Sequence, residues 1–502
     1  MSKYKTKEEV HNRAKDIIGK SMIEIYEENG IYDAKPKSKN YVGDAFELWM
    51  DVPKNSRAEA DLAEAGVELK ATPYKILKNG QYSAKERLVL NIINYMEEAK
   101  QTFETSSFSH KDTLMELTYY QHNPNKPKEE WTFDESILFS FPKKDLEIIK
   151  QDWEVIHQAI LDGKAHELSE GMTNYLGACT KGASAKSLRD QPFSKIKAKQ
   201  RAYSLKAGYM TSILRTYVFG NETDPAIQKA KFDLGQTTIK ENPTASIESI
   251  ASTEELAHNS LGDIILAKLN QYKGKTLAEL KKQFNVTKNA KQVNAILIAR
   301  MLGLKGDSAN EAEEIQKSDI QIKTISVKSN GKIKESMSFP AFKFKDVATQ
   351  KFAESDFYDA LTKRFLFAVF KRLNDDKPSD DEQIFLGAKF WYMPAKDLDI
   401  VEGVYNDTAQ TIRDGVRLEV KGNRVLNNFI PASAKRISHV RPHVRYAQYV
   451  KGPNSNGLPT PATWINRTDD EKYDPSGRYM ATQCFWLNAD YIGEQVQDIT
   501  EE

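Results

Sequence analysis

The chain has 502 residues, 40% of them hydrophobic and 28% charged, with a net charge of +1; at about 100–200 residues per domain, two or more ordinary globular domains are expected. No apolar run approaches the roughly 20 residues that cross a bilayer, and the opening MSKYKTKEEVHNRAK is too polar for a secretion signal. Two cysteines, Cys179 and Cys484, are too few for a disulfide framework or a cysteine zinc site and favour a reducing cytoplasm.

Residues 6–29 read as a helix, with Val10, Ala14, Ile17, Ile18, Met22 and Ile25 on one face and Gly30 as its stop. A shorter helix follows over 42–50, then the polar stretch DVPKNSRAEAD. The run 66–72 reads as a strand ended by Pro73, and 87–95, 113–120 and 136–141 are further strands rich in branched and aromatic residues. An amphipathic helix over 144–162, a strand over 172–179 and a helix over 207–219 complete an α/β pattern around a mixed sheet. The polar, Ser/Thr-rich stretch to residue 255 reads as a linker. The expected organisation is therefore a first domain over 1–235, a linker over 236–255 and a second domain over 256–502. The second domain opens on the helical stretch 261–284, and its strand DIQIKTISV (319–327) echoes GVELKATPY (66–74) as a repeat at domain scale.

Charge is unevenly spread. From Lys181 to Lys206 there are eight Lys or Arg against one acid, Asp190; from Ala434 to Gly452 there are five, with His439 and His443 and no acid. Such runs are the footprint of phosphate binding, or else simply solvated faces. His439 and His443 lack the intervening Glu of a zinc-protease helix, and no Gly-rich loop ending in Gly-Lys-Ser/Thr is present.

The chemistry concentrates around residue 68. Glu68 and Lys70 alternate with Val67 and Leu69, so both side chains leave one face of the strand. Asp61 precedes Glu68 by seven residues, and Glu47 sits on the helix before it. Converging carboxylates suit Mg2+, which takes a few carboxylates, waters and substrate phosphate oxygens. Lys70 then supplies a fixed positive charge for a developing phosphorane, or orients a water. The bare pattern D-x6-E-x-K is common and by itself weak.

The run Lys39 to Glu47, then Asp61, then Ala65 to Pro73, resembles the MutH family of DNA endonucleases without a gap in spacing. Segments 11–21, 85–95, 103–111, 165–183 and 195–215 are similar to the GATC-cutting type II restriction enzymes of that family, and the likeness thins out in 335–344 and 438–443. The resemblance implies a restriction-endonuclease-like mixed sheet flanked by helices, present twice with the second copy degenerate. It implies Asp61 and Glu68 as metal ligands with Glu47 as a further carboxylate, and Lys70 and Lys111 as catalytic lysines. It also implies a base-reading loop over 176–183 with Thr180, Lys181 and Gly182, and DNA contacts from Lys39, Lys195, Lys197, Lys199, Arg201, Tyr203 and Lys206. The implied partner is duplex DNA containing GATC at two sites, with a DNA-induced dimer possible.

In the second half Gln321 stands where Glu68 stands and Lys323 where Lys70 stands, while Glu314 and Arg300 fall at the spacings of Asp61 and Glu47. Catalysis is expected to be lost there and DNA binding kept through Arg441, His443, Arg445 and Arg478, making 256–502 an effector domain. A GATC-specific mismatch-repair nicking enzyme is the nearest rival, disfavoured by chain length. A non-catalytic DNA-binding regulator is the rival of another class, disfavoured by the intact Glu47, Asp61, Glu68 and Lys70.

Overall fold

The computed structural model describes residues 3–34, 36, 38, 40–52, 60–182, 187–219, 247–287, 292–375 and 382–501. The chain forms two compact units, Met1–Ile265 with Gly303–Ile320, and Leu266–Leu302 with Gln321–Glu502. No helix among the described residues is long and apolar enough to cross a membrane.

The first unit carries strands β1 (Glu68–Ile76), β2 (Tyr82–Ala84), β3 (Leu88–Ile92), β4 (Leu114–Gln121), β5 (Phe133–Ser140), β6 (Leu176–Thr180), β7 (Leu188–Gln191), β8 (Ser194–Lys199) and β9 (Arg201–Leu205). A mixed sheet runs β2-β1-β4-β5, with β1 parallel to β4 and the other neighbours antiparallel. A second sheet runs β3-β9-β6, and β7 and β8 form a hairpin. Beside the mixed sheet, Val10, Ile17, Met22, Phe46, Val67, Leu69 and Phe133 share one apolar core.

The expected first helix is two, Lys7–Lys15 and Met22–Glu28, each opened by a capping box at Thr6 and Ser21. The break falls at Gly19, whose positive φ lets its N–H turn to the carbonyl of Phe133 in β5. Pro73 does not end β1. Its carbonyl accepts from the Lys85 N–H, so its missing donor faces the β2 side and leaves the ladder to β4 intact.

The second unit carries β10 (Gln321–Val327), β11 (Met337–Ala341), β12 (Phe365–Arg372), β13 (Gln383–Trp391), β14 (Arg417–Lys421), β15 (Arg424–Asn427), β16 (Ser438–Pro442), β17 (Ser455–Gly457), β18 (Thr463–Asn466), β19 (Tyr479–Ala481) and β20 (Gln483–Leu487). It repeats the plan of the first. β10 is parallel to β12 and β12 antiparallel to β13, as with β1, β4 and β5. The sheet β11-β20-β16 matches β3-β9-β6. Even the break recurs: Gly274, also at positive φ, donates to the Phe385 carbonyl, and Thr276 opens the next helix with a capping box.

The boundaries differ from those read off the sequence. Residues 247–265 and 303–320 pack within the first unit. Lys317 donates to both oxygens of Asp145 at 2.8 Å and to Glu313 at 2.6 Å, and Lys144 reaches Glu313 at 2.9 Å and Glu314 at 2.7 Å. Glu314, the expected counterpart of Asp61, is fully buried here and accepts from the Ile250 and Ala251 N–H groups. It therefore belongs to the first unit's scaffold and to no second catalytic site. Of the linker, residues 236–246 lie outside the described residues, and the rest carries a capped helix, Thr253–Leu256.

Candidate active site

The seven-residue spacing between Asp61 and Glu68 has a local cause. Leu62 and Val67 bridge in both directions, and Gly66, at φ +66°, closes the turn between them. The residues flanking that bridge then lie side by side. The Asp61 N–H donates to Glu68 Oε2 at 3.1 Å, and the Leu69 N–H donates to Asp61 Oδ2 at 3.2 Å. Lys70 leaves the same face of β1 and its Nζ meets Glu68 Oε1 at 2.5 Å.

The parallel register Glu68↔Met115 brings in β4 and the short helix Ser107–Asp112 ahead of it. That helix is capped by the Ser106 hydroxyl, which accepts from the Ser109 N–H. It presents Lys111, whose Nζ lies 3.5 Å from Glu68 Oε1. Asp61, Glu68, Lys70 and Lys111 are thus gathered at one end of two adjacent strands.

Glu68 is 1% exposed. Burial pushes its carboxyl above the usual range, with Lys70 and Lys111 working against the rise and Asp61 adding to it. For Lys70, burial opposes the ammonium, but Glu68, Asp112 and Asp61 outweigh it and hold the group above its ordinary value. Asp112 is the residue that the sequence reading missed. It is fully buried, its oxygens find no hydrogen bond of normal length, and burial lifts its carboxyl to about 7. In sequence it is a lone acid between Lys111 and Thr113, with no pattern to mark it.

Glu47 lies half-buried on the helix Tyr41–Trp49. Among the described residues no group of three or more His, Cys, Asp or Glu is placed to hold a metal. Asp61 and Glu68 alone nevertheless fit a magnesium ion. Asp61 adds to the rise of the buried Glu68 carboxyl, a repulsion that a bound cation relieves, and magnesium characteristically uses one or two carboxylates and completes its shell with water and phosphate oxygens.

The nucleic-acid residues divide into exposed and buried. Thr180, Lys181 and Gly182 are exposed at the end of β6, whose start is pinned by buried Asp152 accepting from the Asn174, Tyr175 and Leu176 N–H groups. Lys195, Lys197 and Lys199 alternate along β8, all exposed, and Lys197 pairs with Asp190 at 3.1 Å. Lys39 lies outside the described residues. Arg201 and Tyr203 need correction as DNA contacts. β9 is the middle strand of its sheet, Arg201 donates to the carbonyls of Ala178 and Leu168, and the Tyr203 hydroxyl donates to buried Glu98. Lys206 is half-buried on the Thr173 carbonyl. Arg201 and Lys206 thus tie β9 and the residue after it to the carbonyls of Leu168, Thr173 and Ala178.

In the second unit Arg441, His443, Arg445 and Arg478 are exposed, and the Arg441 guanidinium lies 3.8 Å over the Trp486 ring. His439 is inside the unit; burial and Arg441 hold its imidazole down at about 4, so it is neutral near pH 7.

If Lys181 reads bases, Lys181→Ala costs about 1–3 kcal/mol of discrimination against a wrong base pair. Lys197→Ala instead weakens binding evenly across sequences and flattens its salt dependence. Cleavage competition between the recognition sequence and single-base variants separates the two, and an unchanged preference in Lys181→Ala removes it from the reading loop.

The family model described as "DNA mismatch repair enzyme MutH" matches residues 50–152, which contain Asp61, Glu68, Lys70 and Lys111. The chain is 44% identical to the type II restriction enzyme Sau3AI of Staphylococcus aureus over 99% of this chain and 100% of that protein. It is 26% identical to the DNA mismatch repair protein MutH of Vibrio campbellii over 43% of this chain and 96% of that protein. The likeness to MutH of Shewanella woodyi is 27% over 37% of this chain and 79% of that protein.

Proposed function

The chain belongs to the MutH-like type II restriction endonucleases, site-specific deoxyribonucleases, and on that premise we propose that it hydrolyses duplex DNA at GATC, on the 5′ side of G, with magnesium held by Asp61 and Glu68. The observation that carries this reading is the turn 62–67, which lays those two carboxylates side by side with Lys70 and Lys111 against Glu68. Bound magnesium supplies Lewis-acid polarisation of the phosphate and lowers the pKa of a water. Lys70 is fixed by Glu68 and neighbouring acids in its charged form, so it stabilises charge developing on the phosphoryl oxygens or orients the attacking water. Lys111 adds a second cation to the same carboxylate. The enclosing β-structure keeps these groups in place before substrate arrives.

Full-length likeness to a restriction enzyme, against a MutH likeness that spans less than half of the chain, favours double-strand cleavage over mismatch-directed nicking. The enzyme then acts in the cytoplasm as part of a bacterial-type restriction system. The second unit binds a further GATC as an effector and activates the first, through a DNA-induced dimer or within one chain. Its repeated strand plan without the acids of the first supports this.

Plasmids with one and two GATC sites test the effector role. Faster cutting of the two-site plasmid is expected, as is stimulation of one-site cutting by a short GATC duplex added in trans, with Arg441→Ala abolishing both. Equal rates, indifferent to the duplex and to Arg441→Ala, leave the second unit as a clamp.

A further inference from the structure

The hairpin of β7 and β8 ends in a turn that its sequence does not favour. Gln191 pairs with Ser194, which leaves Pro192 and Phe193 as a two-residue turn. Phe193 sits at φ +60°, a backbone that crowds a Cβ and that turns ordinarily give to glycine or asparagine. The hairpin of β14 and β15 follows that rule: Lys421 pairs with Arg424, and the turn takes Gly422, at φ +59°, and Asn423. The other non-glycine residues at positive φ among the described residues are Asp51, Asn285, Asp319 and Lys435, all polar.

Packing does not offset this strain, because Phe193 is 76% exposed while Pro192 beside it is buried. The turn is nevertheless held firmly. Gln191 is buried; its Oε1 accepts from the Ala165 N–H at 2.7 Å, and its Nε2 donates to the Ile196 carbonyl at 2.5 Å. Gly163, at φ +70°, lets the turn settle on the end of the helix Lys143–Leu161, since a Cβ there would come within 2.8 Å of the Phe193 carbonyl oxygen. A strained backbone fixed by its surroundings, with its apolar side chain held out in water, points to a role outside the fold.

The neighbours of the ring indicate what it meets. It opens β8, along which Lys195, Lys197 and Lys199 are exposed at every second position. A row of ammonium groups holds a polyanion, and the polyanion that this family cuts is DNA. With phosphates on the lysines, the apolar surface beside them is sugar and base, which an aromatic ring covers and an ammonium does not.

On the reading that these lysines take phosphates, we propose that Phe193 is an apolar wedge carried into a groove of the duplex, its ring against the bases and its direction fixed by the strained turn. Such a contact displaces water and releases no counterion, so it adds affinity without adding salt dependence.

The test uses the full chain with magnesium and a one-site duplex in single turnover, and reads the protein concentration that gives half the limiting rate. Phe193→Gly removes the ring and relieves the backbone. It is expected to raise that concentration about tenfold, the scale of one lost base contact, with the salt slope unchanged and a melting temperature no lower than the native one. Phe193→Asn, which also suits a positive φ, should behave alike, and Phe193→Tyr, which keeps the ring, should match the native chain. Unchanged values in Phe193→Gly and Phe193→Asn, beside a flattened salt slope in Lys197→Ala, overturn the wedge and leave the lysine row in place. Weaker binding that comes with a lower melting temperature makes the ring a structural part and also overturns the wedge. If Lys197→Ala leaves the slope unchanged as well, β8 lies away from DNA and both readings fall.

Discussion

Replacing Glu68 by Gln should lower the cleavage rate by about three orders of magnitude or more, while leaving the fold and most DNA binding intact. Glu68 is the hub of the cluster: it accepts from the Asp61 N–H and from Lys70, and Lys111 lies within 3.5 Å of it. The amide is isosteric but neutral, so the ligand for a divalent cation and the partner that fixes Lys70 are lost together. Removing one preorganised charge-stabilising group typically costs about 10²–10³ in rate, or ~2.7–4 kcal/mol, and loss of the metal adds to that. The fold is spared for a physical reason. Burial already holds the Glu68 carboxyl above its ordinary range, so a neutral side chain there relieves a desolvation penalty. Asp61→Asn and Lys70→Ala should be comparably slow. Single-turnover cleavage beside a melting curve separates catalysis from folding; a Glu68→Gln protein that cuts near the native rate places the centre elsewhere.

Replacing Lys317 by Ala should destabilise the first unit by about 3–5 kcal/mol, because it strands a buried charge. The Asp145 side chain is 2% exposed and Lys317 supplies its ion pair, with the Tyr209 hydroxyl at 3.0 Å as its other side-chain partner among the described residues. Taking ~2–4 °C per kcal/mol for a unit of this size, the melting point should drop by roughly 10 °C. The double replacement Lys317→Met with Asp145→Asn should recover most of the loss, since removing both charges removes the stranded one. Glu313, also on Lys317, adds a pH signature. Burial opposes its ionisation, but Lys317 and Lys144 prevail and bring its carboxyl down to about 2. A depressed acid stabilises the fold above its unfolded value near 4.5, and that contribution disappears as pH falls towards about 2. A chain cut after residue 255 lacks Glu313, Glu314 and Lys317, and should leave Lys144 and Asp145 without their partners. A Lys317→Ala protein that melts like the native one refutes this account of what holds 303–320.

The gathering of Asp61, Glu68 and Lys70 was legible because it is local. The spacing of Asp61, Glu68 and Lys70 is enforced by one tight turn and one strand, and strand periodicity alone puts two of the three on one face. The domain boundary was not legible. Residues 311–319 are as charged as a solvated helix, and nothing nearby in sequence tells that Glu314 and Lys317 answer Lys144 and Asp145, about 170 positions away. Arg201 and Tyr203 misled for a related reason: they close a strongly basic segment, yet β9 is covered by a strand on each side. Composition reports charge but not which strand is central. Asp112 escaped because a lone acid carries no pattern, and its meaning comes only from Lys70 arriving through the β1–β4 register.

The most direct test is to digest a fully sequenced plasmid with the purified protein and map every end. The account predicts ends only at GATC, each a 5′-phosphate on the 5′ side of G, with magnesium required and no ends from Glu68→Gln. Ends scattered away from GATC, or cutting that persists in EDTA, would contradict it.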